Sequence, residues 1–119
     1  VYKHSMYATT CELAGVEVPK SVEFPSIAGL LHGEAHPVHD AVFSYYRDVQ
    51  RTVRTKTHKL IVYPQISRIQ IFDLEKDPWE MHDLSEDPGI SSVKAELMQR
   101  LLRFQRELDD KLSLKHVIA

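Results

Sequence analysis

The chain has 119 residues, of which 43% are hydrophobic and 27% are charged, as expected of one globular domain that can bury an ordinary core. Its net charge of −2 gives no global attraction to nucleic acid or to acidic lipid, so neither is an expected partner. Cys11 is the only cysteine, which excludes an internal disulfide and a zinc site built from thiolates. No apolar run approaches the roughly 20 residues that a membrane-spanning helix needs, so no membrane contact is predicted either.

The first forty residues are predicted to contain two short helices. The first helix, Ser5–Leu13, is followed by Gly15, which suits the left-handed residue that closes many helices. One face of this helix is expected to carry Met6, Thr9, Thr10 and Leu13. Ser26 is predicted to cap a single helical turn at residues 27–31, which stops at Gly33.

From residue 41 the pattern becomes that of short strands joined by short turns. Residues that favour strands cluster in four runs, at positions 41–46, 51–55, 59–63 and 69–74. Because connections this short join neighbouring strands, three or four of these runs are predicted to form an antiparallel sheet.

A helical stripe marks the C-terminal region. Its apolar positions are spaced 4, 4, 3, 4 and 4 residues apart and are Val93, Leu97, Leu101, Phe104, Leu108 and Leu112. The stripe covers one side only, so the helix should lie across the sheet. The predicted fold class is therefore α+β: a small antiparallel β-sheet of three to four strands packed against a long C-terminal amphipathic helix, preceded by short N-terminal helices.

Residues 71–84 combine the end of a strand with signals for a capped helical turn. Asp77 is placed to accept free N–H groups, and Pro78 suits the first helical position, where no N–H is needed. Glu80 completes an Asp-x-x-Glu form of the capping box. Trp79 is expected to pack on neighbouring structure and to seal the turn, with stacking on a sugar as the alternative.

Histidines concentrate in the loop before the first strand. Four side chains of the types that bind zinc lie there: His32, His36, His39 and Asp40. Pro37 interrupts the i, i+4 spacing that would place two of them on one face of a helix. A solvated loop is the preferred interpretation, and no metal site is predicted.

Basic residues gather in the centre of the chain, with tyrosines nearby. The basic residues are Arg47, Arg51, Arg54, Lys56 and Lys59, and the tyrosines are Tyr45, Tyr46 and Tyr63. Three interpretations stay open. Such a surface can be an exposed sheet face balanced by the acidic residues 73–87, it can bind sulfate or carboxylate groups on a sugar, or it can stack bases and bind phosphates.

Nucleophilic catalysis has little support among these residues. Cys11 has no cationic neighbour in the sequence that would lower its pKa. Ser44 lacks the Gly-x-Ser-x-Gly turn, and the chain has neither a P-loop nor a dinucleotide-binding glycine pattern. Taken alone, these residues do not form a catalytic centre.

Four segments, in order along the chain, resemble those of the sulfatases, within the alkaline-phosphatase-like superfamily. They are Leu-Ala-Gly-Val-Glu-Val-Pro at 13–19, Ser-Ile-Ala-Gly-Leu-Leu-His-Gly at 26–33, the Arg-x-Val-Arg and Lys-Leu-Ile hairpin at 51–61, and Phe-Asp-Leu-Glu-Lys-Asp-Pro-Trp-Glu at 72–80 with Asp83 and Leu84. Asp83 stands where the family usually has Asn. Ser5 and Ala8 replace the Asp and Pro of the family's Asp-x-x-Pro-Thr pattern, which here ends at Thr9.

The resemblance implies that this chain is the C-terminal fragment of a sulfatase, a sulfuric ester hydrolase. Residues 1–40 would be the tail end of the catalytic domain, and residues 41–119 the C-terminal subdomain that packs against it and can line the substrate cleft. The family's formylglycine forms in a Cys/Ser-x-Pro/Ala-x-Arg motif, which the residues after Cys11 do not match. The expectation is therefore no cofactor in this chain, with calcium and formylglycine in a missing N-terminal sulfatase domain, and a fragment that is inactive alone.

A sulfated small molecule or glycan is the substrate that the resemblance implies for the intact enzyme. The candidates for contact with it are chosen by chemistry and by position near the start of the sheet; they are Arg47, Gln50, Arg51, Tyr45, Tyr46 and His39. The alternative is a stand-alone binding module for an anionic glycan or single-stranded nucleic acid. Because a subdomain separated from its partner exposes an apolar patch, self-association of the fragment is also expected.

Overall fold

The computed structural model describes residues 2–34 and 38–118, apart from the side chain of residue 118. The chain divides into two compact units, Val1–Val42 and Phe43–Ala119. Among the described residues, no helix has both the length and the apolar character needed to cross a membrane.

The first unit contains the predicted helix α1, Ser5–Leu13, and the short helix α2, Ala28–Leu31. Thr9 links the two helices, since its hydroxyl donates to the Ser5 carbonyl at 2.6 Å and accepts the N–H of Ile27 at 3.0 Å. These two hydrogen bonds satisfy polar groups that would otherwise be buried without partners.

The predicted end of α1 is confirmed, whereas the start of α2 differs from its prediction. Gly15 adopts φ +68°, the left-handed conformation that glycine enters without steric cost. Ser26 Oγ accepts the N–H of Ala28 at 3.0 Å, but the N-cap residue of α2 is Ile27, and the helix begins one residue later than predicted.

The buried face of α1 differs from the predicted one. Ser5, Ala8 and Thr9 are its buried residues, whereas Met6 and Leu13 are 54% and 55% exposed. Small side chains let two helices approach closely, and α1 meets α2 through such residues. A pattern weighted towards large apolar residues misses this contact.

The second unit is built on a four-stranded sheet whose strands lie in chain order. The strands are β1 Val42–Tyr46, β2 Gln50–Arg54, β3 His58–Tyr63 and β4 Arg68–Asp73, each within one residue of its predicted bounds. In the antiparallel pairing of β2, β3 and β4, Val53 lies opposite Leu60 and Leu60 opposite Ile71. All three side chains are fully buried, so the core lies at the centre of the sheet.

Helix α3, Ser91–Glu107, packs across β2 and β3 and confirms the predicted α+β fold. Leu97 and Leu101 are buried on its inner side, and the Phe104 ring stacks on Phe43 of β1 with centroids 5.8 Å apart. Two 3-10 turns, Pro64–Ile66 and Pro88–Ile90, and the short helix α4, Lys115–Ile118, complete the unit.

Helix α3 ends before the predicted apolar stripe does. Leu108 is 53% exposed and Asp109 adopts φ +54°, which turns the chain away from the helix axis. The buried apolar residue that follows is Leu114, where the stripe predicted Leu112. The reason is a long-range contact of Asp110, described with the candidate site.

The loop after β4 contains turns but no helical turn, so the prediction of a capped helical turn is wrong. Asp77 Oδ2 accepts the N–H of His82 at 2.7 Å, outside any helix. Glu80 adopts φ +55°, and its Oε2 lies 2.6 Å from Lys59 Nζ of β3, so it does not complete a capping box. Trp79 is 84% exposed and does not seal the turn.

Candidate functional site

The turn between β1 and β2 carries five of the six predicted substrate contacts. Tyr45 and Tyr46 end β1, Gln50 and Arg51 begin β2, and Arg47 lies in the turn itself. The N–H of Val49 donates to the Tyr46 carbonyl at 3.1 Å and closes the turn. Arg47 adopts φ +47°, a conformation that is uncommon for residues other than glycine.

Two exposed aromatic rings and an exposed cation are adjacent on this turn. Tyr45 and Tyr46 are 69% and 60% exposed, and Arg47 is exposed as well. The Arg47 guanidinium carbon lies 5.7 Å from the centroid of the Tyr46 ring, within range of a cation–π contact. These three residues, Tyr45, Tyr46 and Arg47, form what we call the tyrosine–arginine surface.

Two polar side chains at this turn already have partners. Gln50 Nε2 donates to Thr52 Oγ1 at 3.0 Å, which orients its amide along β2. Asp48, an exposed carboxylate next to Arg47, accepts a hydrogen bond from Gln65 Nε2 at 3.2 Å. The acid is therefore directed towards the neighbouring connection between β3 and β4.

Arg51 is buried, unlike Arg47. Its Nε and Nη2 atoms lie 2.6 and 2.8 Å from the two carboxylate oxygens of Asp110, a bidentate ion pair. Its Nη1 donates to the carbonyls of Arg47 at 2.5 Å and Gln50 at 2.9 Å. Its guanidinium carbon also lies 5.3 Å from the centroid of the Tyr45 ring.

Asp110 is held in place from the side of helix α3. Gln105 Nε2 donates to its Oδ2 at 2.8 Å, and the N–H of Leu112 donates to its Oδ1 at 3.3 Å. The Arg51 guanidinium lowers the pKa of the Asp110 carboxyl from 3.8 to about 2, with further lowering by Gln105 and Leu112 against the opposing effect of burial. We call Arg51, Asp110 and Gln105 the carboxylate clasp.

The carboxylate clasp was missed by the sequence interpretation, although one signal was present. Asp109 and Asp110 are consecutive acidic residues at a helix C-terminus, where the helix dipole disfavours negative charge. This pattern indicates that the helix stops there. It does not indicate that Arg51, 59 residues earlier, is the partner of Asp110.

His39, the sixth candidate, belongs to the first unit. Its ring packs edge-on against Tyr2, with centroids 5.0 Å apart, and Tyr2 packs in the same way on Phe24 at 5.3 Å. The Nε2 atom of His39 is buried and has no hydrogen-bond partner within residues 2–34 and 38–118. Its part in substrate contact stays a prediction.

The histidine-rich loop provides no metal centre in the described part of the chain. In those residues, no group of three or more His, Cys, Asp or Glu side chains could hold a metal ion. His32 is exposed on the loop after α2, and His36 lies outside the described residues.

Comparison with known proteins relates the chain to sulfatases. The family described as N-sulphoglucosamine sulphohydrolase, C-terminal, matches residues 1–107. The Delta 4,5-hexuronate-2-O-sulfatase of Bacteroides thetaiotaomicron is 33% identical over 116 residues, which cover 90% of this chain and 24% of that protein.

Solved structures agree in fold. BT1596, a 2-O GAG sulfatase, has a TM-score of 0.73 and 32% identity over 86% of this chain and 24% of its own. BT4656, solved in complex with its substrate D-glucosamine-2-N,6-O-disulfate, has a TM-score of 0.75 and 27% identity over 91% of this chain and 24% of its own. The chain thus spans about a quarter of the length of these relatives. It belongs to the family of N-sulphoglucosamine sulphohydrolase C-terminal regions and corresponds to the C-terminal portion of a sulfatase-like protein.

Proposed function

We propose that this chain is the C-terminal region of an active sulfatase, and that its tyrosine–arginine surface contacts a sulfated sugar. Two of its relatives are named as sulfatases of hexuronate and of N-acetylglucosamine, and a structural neighbour holds a disulfated glucosamine. The division of the chain after Val42 supports a boundary near residue 40 between the tail of a catalytic domain and a C-terminal subdomain.

The observation that carries the proposal is an exposed cation beside two exposed aromatic rings. Arg47 offers a planar set of N–H donors that suits the oxygens of a sulfate group, and its guanidinium is always charged. Tyr45 and Tyr46 expose flat apolar faces on which a sugar ring can stack, with a hydroxyl for its polar edge. The surface thus combines contacts for both parts of a sulfated sugar.

The three remaining predicted contacts are expected to act in different ways. Gln50 and Arg51 act mainly from behind the surface, because the amide of Gln50 is bound to Thr52 and the guanidinium of Arg51 to Asp110. His39 belongs to the first unit and is kept as an additional contact of the intact enzyme.

We place the catalytic groups that the family implies outside this chain. Two observations support this: the described residues contain no cluster of three metal-binding side chains, and Cys11 lies within α1 without the Pro/Ala and Arg of the formylglycine motif. We therefore assign calcium, formylglycine and sulfate-ester hydrolysis to a separate domain of the intact enzyme. The chain alone should not turn over an aryl sulfate in the presence of calcium, and robust turnover would contradict this assignment.

Binding can be tested with the chain itself. Titration of D-glucosamine-2-N,6-O-disulfate into isotope-labelled protein should shift the amide resonances of residues 45–50, whereas unsulfated glucosamine should not. Arg47→Ala should weaken binding about tenfold, the effect of losing roughly one charge-assisted hydrogen bond. Arg54→Ala is the matched control, because it removes the same charge from an exposed residue at the other end of β2.

A nucleic-acid module is the second candidate, favoured by the same contacts between arginine and tyrosine side chains. Single-stranded oligonucleotide should be titrated under the same conditions and at two salt concentrations. Salt-sensitive shifts of residues 45–50 with the oligonucleotide, and none with the disulfated sugar, would replace the glycan proposal by this one.

A further inference from the structure

The Arg51 guanidinium is hydrogen-bonded to other residues of the protein, and this limits how Arg51 can contribute to the site. An arginine has five N–H donors, and four of those of Arg51 are engaged, two by Asp110 and one each by the carbonyls of Arg47 and Gln50. The residue is also only 5% exposed. Its guanidinium therefore has little capacity left for a ligand.

The Arg51 guanidinium contacts two residues of the tyrosine–arginine surface, Arg47 and Tyr45. It binds the carbonyl of Arg47, whose left-handed backbone has to be maintained by its surroundings. It also lies under the exposed Tyr45 ring, at 5.3 Å from the centroid. The orientation of the Arg47 backbone and of the Tyr45 ring thus depends on where Arg51 is held.

Asp110 fixes the position of the Arg51 guanidinium, and Gln105 in turn fixes the position of the Asp110 carboxylate. Asp110 fixes the plane of the guanidinium through two parallel bonds at 2.6 and 2.8 Å. Gln105 Nε2 donates to Asp110 Oδ2 at 2.8 Å and to the carbonyl of Leu112 at 3.0 Å. Asp110 and Leu112 are therefore both bound to helix α3. Gln105 is itself 6% exposed and cannot move freely.

We propose that Asp110, oriented by Gln105, is a positioning residue for ligand binding, which acts through Arg51 on the tyrosine–arginine surface. This inference rests on the proposed function of that surface and adds a residue from the opposite end of the subdomain's sequence. Neither Asp110 nor Gln105 touches the ligand. Their effect is to keep the Arg47 backbone and the Tyr45 ring in the arrangement that a sulfated sugar meets.

The test compares Asp110→Asn with Asp109→Asn in the full chain. Both variants remove one carboxylate, but Asp109 is 79% exposed and its partner is the equally exposed Lys111. Asp110→Asn should weaken binding of D-glucosamine-2-N,6-O-disulfate about tenfold, and Asp109→Asn less than twofold. Gln105→Met, which retains the ion pair but removes its support, should give a smaller loss in the same direction and serves if Asp110→Asn does not fold.

A double-mutant cycle separates positioning from a general loss of structure. If Asp110 acts through the surface, Asp110→Asn should weaken binding less in an Arg47→Ala background than in the wild-type chain, and the remaining loss should come from the Tyr45 ring. Additive losses of affinity from the two substitutions would overturn the inference.

A second readout needs no ligand. In the free protein, Asp110→Asn should shift the Tyr45 ring resonances and the Arg47 amide while leaving those of β4 in place, and Asp109→Asn should shift neither. Absence of these shifts overturns the positioning role even if the wild-type chain binds no sugar. Failure of wild-type binding, or an Arg47→Ala variant that binds normally, counts against the proposed function instead.

Discussion

The two ends of the sheet both expose aromatic side chains, but they differ in charge and in the ion pair that stabilises them. At one end the β1–β2 turn exposes Tyr45 and Tyr46, and at the other end the loop after β4 exposes Trp79. Each has a residue other than glycine in the left-handed region, Arg47 at φ +47° and Glu80 at φ +55°. Each is also braced by an ion pair that reaches another element, Arg51–Asp110 at the first end and Lys59–Glu80 at the second.

The ends differ in charge and in the burial of the brace. Arg51 and Asp110 have side chains 7% and 16% exposed, whereas Lys59 and Glu80 are 22% and 27% exposed. The segment from residue 73 to residue 87 has seven acidic residues and one lysine, and it would repel an anionic ligand. Exposed aromatic residues alone therefore do not define a site for a sulfated sugar; the neighbouring charge selects the β1–β2 end.

The largest effect is expected from breaking the buried brace. Arg51→Met should lower the free energy of unfolding by about 3 kcal/mol, because it leaves the Asp110 carboxylate partly buried without its cation. Urea denaturation near neutral pH measures this. Arg54→Met, at an exposed position of the same strand, should stay within about 0.5 kcal/mol of wild type. Equal losses in the two variants would remove the distinction between the buried clasp and an ordinary surface arginine.

The same brace should give the protein a defined acid sensitivity. The pKa of Asp110 is lowered from 3.8 to about 2 in the folded protein, so its stabilisation is present above pH 3.8 and is lost as the pH falls through 2. A shift of this size corresponds to about 2 kcal/mol. The stability gap between wild type and Asp110→Asn should therefore close between about pH 4 and pH 2. A gap that does not change with pH would contradict this linkage.

Breaking the brace at the other end should matter less. Lys59→Met removes the cation from Glu80, but both groups keep contact with water, so the expected loss is about 1 kcal/mol or less. Because water screens this pair, the loss should shrink further at high salt. A loss as large as that of Arg51→Met would show that exposure does not rank the two ion pairs.

The smallest effect is expected for Trp79. Its side chain is 84% exposed, so Trp79→Ala should change the free energy of unfolding by less than about 0.5 kcal/mol. Thermal denaturation followed by circular dichroism measures this without relying on indole fluorescence. A destabilisation of 2 kcal/mol or more would instead mean that the ring packs on the fold.

Local sequence patterns predicted the strands and failed at the points where a distant residue intervenes. Clusters of β-branched residues and short turns placed all four strands within one residue, because those signals are contained in each segment. The predicted helical stripe continued through Leu112, but Asp110 bonds to Arg51 and the helix stops at Glu107. The predicted capping box needed Glu80 in a helix, and Lys59 holds its carboxylate elsewhere.

In the candidate site, too, local features were predicted from the sequence and those set by a distant residue were not. The sequence placed Tyr45, Tyr46 and Arg47 together at the start of the sheet, which needs only their adjacency. It could not distinguish Arg47 from Arg51, because both are arginines four positions apart. Only the fold shows that Arg47 is exposed and that Arg51 is enclosed by Asp110, which lies near the other end of the second unit's sequence.

The long span of the carboxylate clasp also has a consequence for the order of folding. Neighbouring strands pair through short connections, so the hairpins can close early at small cost in loop entropy. The Arg51–Asp110 bond joins positions 59 residues apart and requires α3 to be docked first. During synthesis, the β1–β2 turn would therefore acquire its final geometry only after Asp110 has left the ribosome, well after the sheet that carries it has formed.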